Sequence, residues 1–216
     1  FQKVAAALSG GVSSLWGKYT NIDAIMEENE TLREENAELR SQMVEYDRLK
    51  AENEAYKKLE QIQEENPQNT YVSAFVIGRD TLDEFGGFTL DKGTAHGVER
   101  GDTVVSDEGY LLGVVIEADL TSCKVLTILH PSFNASVVVS RTRDNGILTG
   151  DASYAEQGLC LFTNLARDSM ATVRDQVITT GLGGVYPPDV LVGTIVALLP
   201  ESSGKSTIAV VEPGGD

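Results

Sequence analysis

The residues whose types could carry chemistry are few. They are two histidines, His96 and His130, two cysteines, Cys123 and Cys160, and a glycine-rich stretch, T-T-G-L-G-G-V-Y-P-P-D-V-L-V-G-T-I-V, over 179–196. A dinucleotide-binding turn needs Gly-x-Gly-x-x-Gly where a strand enters a helix, so that helical N–H groups face a pyrophosphate. Gly181 and Gly183 fit the first two positions, but Tyr186 stands at the third, and Pro187-Pro188 and a β-branched run follow. No helix N-terminus is offered there. Gly204-Lys205-Ser206 resembles the end of a Walker loop, but Leu199 stands where the upstream glycine is needed.

A Ser-His-Asp hydrolase built on small β-barrels would need one histidine near an activated serine. His96 lies in the turn-like D-K-G-T-A-H-G-V-E-R-G-D, His130 precedes Pro131 and Ser132, and no serine sits in a Gly-x-Ser-x-Gly setting. Two histidines 34 residues apart, without an Asp/Glu/Cys cluster at ligand spacing, do not make a metal site. The two cysteines are expected as free, buried thiols. No cofactor and no catalytic residue are expected. The chain is acidic, with a net charge of -16 from 33 acidic and 17 basic residues, a field that repels nucleic acid and anionic lipid. The 179–196 stretch therefore reads as a shaped loop. Glycines allow positive φ, and two prolines stiffen the turn. Gly181, Gly183, Gly184, Tyr186, Pro187, Pro188 and Gly193 form the candidate partner-binding loop, with Tyr186 either an exposed anchor or a residue packed on its own barrel.

The elements around this loop fall into two kinds. Asn21 to Asn66 lacks Gly and Pro and holds 14 acidic against 6 basic residues, a net -8, half the charge of the chain. Ile22, Ile25, Asn29, Leu32, Asn36, Leu39, Met43 and Tyr46 recur at 3-4 spacing, the rhythm of a left-handed coiled coil. After Tyr46 the stripe resumes three residues later at Leu49, a stammer that overwinds the supercoil locally. A helix is expected to start at Thr20 or Asn21 and to stop at Pro67, a rod of about 70 Å. Its stripe has no second helix to cover it, so a second copy of the chain is the expected partner, and Asn29 and Asn36 at a positions suit a two-stranded pairing. Residues 1–20 are small and weakly apolar. Trp16, Tyr19, Lys3 and Lys18 mark a membrane-proximal segment.

From Tyr71 the period changes to short runs of Val, Ile and Thr bounded by Gly, Asp, Asn or Pro. Two of them echo each other. G-D-T-V-V-S from Gly101 and R-D-Q-V-I-T from Arg174 place Asp102 and Asp175 73 residues apart, and each is followed by an apolar strand with an internal glycine, Gly113 or Gly193. Gly109 and Gly113 are four residues apart, but Gly181 and Gly193 are twelve apart, so the candidate loop is an insertion in the second copy. The expected fold is mainly β: a dimeric coiled coil from one long N-terminal α-helix (21–66), then two small six-stranded β-barrels over 71–143 and 144–216, with strand exchange between them allowed. Gly113 and Gly193 are expected at bulges.

Heptads leading into strands, together with L-D-K-G-T-A-H-G-V-E-R-G-D-T-V-V, G-Y-L-L-G-V-V, V-L-T-I-L-H-P-S-F-N-A-S-V-V-V and above all T-T-G-L-G-G-V-Y-P-P-D-V-L-V-G-T-I-V, resemble the MreC family of bacterial rod shape-determining proteins. Arg174 and Asp189 stand where that family usually has Gly, both in turns. The resemblance implies a homodimeric, non-catalytic scaffold of the cell-elongation machinery. It implies an extracytoplasmic part on a single-pass protein of the cell membrane, with the membrane helix upstream of Phe1. The implied partners are MreD, the MreB-linked cytoskeleton, RodA and a class B penicillin-binding protein. Two alternatives are a periplasmic adaptor of an export system, which would carry a helical hairpin inside a β-domain, and a chymotrypsin-like hydrolase.

Overall fold

In a computed structural model, residues 2–65, 69–79, 83–201 and 206–215 are described, with helix side chains described from Met26 onward except at 59, 61 and 65. The chain divides into two units, Phe1–Glu54 and Ala55–Asp216.

The first unit is helical. Helix α1 runs Gln2–Glu65 and so begins well before the expected start at Asn21. The expectation placed too much weight on a capping residue. V-A-A-A-L is a good helix former, no proline interrupts residues 1–20, and each glycine there costs only about 1 kcal/mol relative to alanine. The helix ends two residues before Pro67. Of the expected dimer residues, Asn29, Leu32, Asn36, Leu39, Met43 and Tyr46 all lie exposed on the single chain, with Leu39 at 62 % and Tyr46 at 66 %. The side chains of Ile22 and Ile25 lie outside the described residues.

The second unit carries β1 (Val76–Arg79), β2 (Phe88–Leu90), β3 (Thr103–Val105), β4 (Leu111–Ala118), β5 (Cys123–Thr127), β6 (Asn134–Val139), β7 (Asn145–Thr149), β8 (Cys160–Ala166), β9 (Gln176–Thr180), β10 (Pro188–Pro200) and β11 (Ser206–Pro213). One helical turn, α2 (Ala152–Ala155), precedes β8. All named strand pairs are antiparallel. Strands β6 to β11 close a six-stranded barrel in the order β10-β11-β8-β7-β6-β9. Its interior is filled by Val137, Val139, Leu148, Phe162, Leu165, Val177, Val192, Ile195 and Val211, all fully buried.

The first module corrects the expectation. Among the described residues it is a five-stranded sheet, β1-β2-β5-β4-β3, where a six-stranded barrel was expected. The expected boundary at 143/144 moves too, because β6 belongs to the second sheet, and the division falls between β5 and β6. The sequence T-I-A-V-V-E forms most of β11 and pairs with β10 and β8, within the barrel. Just beyond β11, Gly214 N–H donates to the Val192 carbonyl of β10 at 3.1 Å, and Gly214 and Gly215 lie against Tyr110, the residue before β4.

The internal echo is structural. The first sheet has the order β1-β2-β5-β4-β3 and the barrel contains β7-β8-β11-β10-β9. Gly101 N–H donates to the Val115 carbonyl at 2.8 Å and Val115 N–H to Asp102 at 2.9 Å; Arg174 and Ile195 repeat this with Asp175, again at 2.8 and 2.9 Å. Both glycines follow a bulge. Leu112 is the extra residue between the pairs Val105↔Leu111 and Val104↔Gly113, and Val192 is extra between Leu191↔Ile178 and Gly193↔Val177. A Cβ on Gly113 would lie 2.1 Å from the Leu126 carbonyl oxygen, and on Gly193 2.0 Å from that of Glu212, so only glycine lets the neighbouring strand approach.

Candidate functional site: the β9–β10 loop and the adjoining groove

The loop leaves β9 at Gly181 and re-enters β10 at Pro188. No helix follows, so no helix N-terminus is available for a phosphate. Gly181, Gly183 and Gly184 have φ of 72°, 87° and 68°, which is why three glycines stand within four positions. Gly184 N–H donates to the Gly181 carbonyl at 3.2 Å, and Leu182 N–H to Thr180 Oγ1 at 3.1 Å. Thr179 locks the base of the loop. Its hydroxyl is buried, donates to the Pro187 carbonyl, and accepts the Val190 N–H at 3.0 Å. Sequence reasoning passed over Thr179, because a threonine at a strand end is ordinary and its partner lies eight residues away.

Tyr186 is not an exposed anchor. It is 9 % exposed, belongs to the barrel core, and its ring lies 5.5 Å from that of Phe133 at 52°. Burial pushes its phenol pKa up. The structure thus chooses the packed placement over the exposed one, for a simple reason. Thr179 pulls Pro187 inward, and the side chain before it follows. The apolar residues the loop does expose are Leu182 and Val185, at 65 % and 56 %. Gly193 sits away from the loop tip, in the ladder.

Beside the loop runs a cavity of about 1250 Å³. It is bounded by Val76, Leu90, Val104 and Val115 of the first sheet and by Gly184, Val185 and Pro187 of the loop. Sheet and loop therefore share one groove, lined by apolar residues together with charged ones such as Arg79, Lys92, Asp107 and Glu212. The histidines serve turns. His130 Nδ1 accepts the Ser132 N–H at 3.0 Å and its ring meets Phe85 edge-on at 4.8 Å, while His96 is exposed on a single 3-10 turn with Nδ1 accepting from Gly93 N–H at 3.4 Å. Both cysteines are free and buried, and burial pushes the Cys160 thiol up to about 12. Such a thiol is unreactive at neutral pH.

Electrostatic order is concentrated at the base of β9. Arg141 grips Asp175 bidentately, Nε to Oδ1 at 2.8 Å and a terminal nitrogen to Oδ2 at 2.7 Å. The same carboxylate accepts the Thr172 N–H at 2.7 Å. Its counterpart Asp102 accepts the Glu99 N–H at 2.8 Å by the same three-residue reach. The Arg141 hydrogen bond, helped by Thr172 and by the guanidinium charge and opposed by burial, holds the Asp175 pKa down to about 2. These residues hold a turn.

The family model described as "Rod shape-determining protein MreC, barrel core" matches residues 76–216. The cell shape-determining protein MreC of Listeria monocytogenes is 28 % identical over 209 residues, which is 95 % of this chain and 68 % of that protein. A solved structure of MreC from the same species superposes with a TM-score of 0.61 at 25 % identity, covering 84 % of this chain and 90 % of that one. A complex between a penicillin-binding protein (PBP2) and MreC from Helicobacter pylori matches with a TM-score of 0.54 at 18 % identity, over 66 % of this chain and 85 % of that one, a likeness of fold.

Proposed function

This chain belongs to the MreC family of rod shape-determining proteins, and from that premise we propose that it is a non-catalytic, extracytoplasmic scaffold that pairs through α1 and recruits a wall synthase through its β-modules. The observation that carries the pairing is the stripe Leu32, Leu39, Met43, Tyr46, left in water on the single chain. A second helix burying it gains roughly 1.5–3 kcal/mol per large apolar side chain. Among the described residues no helix is long and apolar enough to cross a membrane. MreD, RodA and the MreB-linked cytoskeleton are the other proposed partners. A synthase partner is supported by the Helicobacter pylori complex, whose MreC shares this fold.

The pairing is tested by Leu32→Asp with Leu39→Asp. The double variant is expected to become a monomer in light scattering while the circular dichroism of the β-modules is unchanged; a dimer that persists removes the coiled coil from the account. Recruitment is tested by a pull-down of the cognate class B penicillin-binding protein. Leu182→Asp with Val185→Asp, at two exposed loop positions, is expected to weaken capture about tenfold or more, the range of a lost interface anchor. Capture unaffected by that pair would move the docking face elsewhere.

A further inference from the structure

We propose that the first β-module is a barrel left open by one strand, and that it takes up an extended segment of another protein in the slot between β1 and β3. The two modules share the strand order β1-β2-β5-β4-β3 and β7-β8-β11-β10-β9, and in the second the gap between the end strands is filled by β6. Strand β6 pairs with β7 through Ala135↔Leu148 and Val138↔Asn145, and with β9 through Val137↔Thr179 and Val139↔Val177. Ala135, Val137 and Val139 point into the barrel and are at most 3 % exposed. Among the described residues β1 pairs only with β2, and β3 only with β4, so there both slot-facing edges present unpaired hydrogen-bonding groups. Where the β6 side chains would lie, the groove runs between Val76 of β1 and Val104 of β3 over Leu90 and Val115.

Among the described residues, none fills the slot. The counterpart of β6 in chain order is the segment before β1, but Phe75 exchanges its hydrogen bonds with Asp91, just beyond β2 (Phe75 N–H to Oδ1 at 2.8 Å, Asp91 N–H to the Phe75 carbonyl at 3.0 Å). No described residue from 69 to 75 pairs with β3. The chemistry of the occupant is set by β6, whose sequence is N-A-S-V-V-V: four to six extended residues, small or β-branched, apolar at alternate positions. Outside 21–66 the chain still carries a net charge of -8, half of the -16 total, which favours a neutral or basic segment of a partner. Strand addition needs only main-chain pairing plus two or three apolar side chains, so a short extended stretch of a partner suffices. The partner's biological identity rests on the recruiting role proposed above; the slot rests on the topology.

The test uses the purified chain and a synthetic peptide of residues 133–141, F-N-A-S-V-V-V-S-R, as the probe strand. Titration followed by backbone amide NMR is expected to show saturable binding tighter than about 1 mM, with shifts and slowed exchange confined to β1 and β3. A peptide carrying Val137→Lys and Val139→Lys is expected not to bind. The chain variant Val76→Lys, a charge at a half-exposed position on the slot wall, is expected to lose the probe at least about tenfold with its melting temperature unchanged. If Val76→Lys alters the melt, Val105→Pro on the β3 edge replaces it. Absence of shifts up to the solubility limit, shifts on β7 and β9 instead, or shifts on β1 and β3 that appear without peptide as the chain concentration rises each overturn the proposal. Peptide binding together with failure to capture any synthase overturns the recruiting role and leaves the slot standing.

Discussion

Asp175 shows how one carboxylate can hold a module together without catalysis. Its side chain is 10 % exposed, whereas Arg141, its partner, is 55 % exposed, so the carboxylate is the desolvated member of the pair. With its folded pKa at about 2, below the ordinary 3.8, Asp175 contributes stability that is present in full above pH 4 and is lost as the pH falls toward 2. The urea midpoint of the wild-type chain is therefore expected to drop between pH 4 and pH 2. Asp175→Asn is expected to be less stable at pH 7 and to show a flatter profile over that window; an unchanged slope would assign the acid sensitivity to other carboxylates. The two departures from the family pattern belong at the same scale. Arg174 and Asp189 both have positive φ, 78° and 61°, so the turn types that glycine normally serves are retained by residues that adopt them under strain. The sequence marked those positions as unusual; the backbone shows what was unusual about them. Tyr186 was legible as important but not as buried, since an aromatic in a Gly/Pro loop looks alike in either placement.

At the scale of elements, the repeat was legible because it is written in backbone requirements. Asp-x-Val-(Val/Ile) and the strand glycines recur because each module needs the same turn staple and the same bulge. Gly113→Ala or Gly193→Ala pushes a methyl group into the neighbouring strand's carbonyl oxygen and is expected to lower stability by about 2–3 kcal/mol in urea unfolding. Gly183→Ala meets nothing within 4 Å and is expected to cost only about 1 kcal/mol, from its positive φ alone. Equal costs at the three sites would show that close strand approach is not what selects glycine. Strand β8 is hard to read from the sequence for a physical reason. Its alternation holds at Cys160 and Phe162, then slips at Asn164, which has φ of 61°, and resumes at Leu165, so no run of period two survives. The missing sixth strand of the first module could not be read either, because closure depends on whether a segment pairs on its second side, and period-two patterning is the same in both cases.

At the scale of the whole molecule, charge and apolar surface pull in opposite directions. The chain carries -16, and the stretch from Asn21 to Asn66 carries half of it, so pairing two copies along α1 sets like charges side by side. The apolar stripe must overcome that repulsion, which is long-ranged at low salt: the screening length is about 30 Å at 0.01 M and about 8 Å at 0.15 M. A dimer held by complementary ion pairs weakens as salt is added, whereas one held by an apolar seam against net repulsion tightens. The dissociation constant from sedimentation equilibrium is thus expected to fall as NaCl rises from 10 to 300 mM, by about tenfold if relief of repulsion amounts to 1.4 kcal/mol. A constant that rises over that range would mean that charge pairs hold the seam, and the roles given to Leu32, Leu39, Met43 and Tyr46 would pass to the Glu, Lys and Arg residues flanking them.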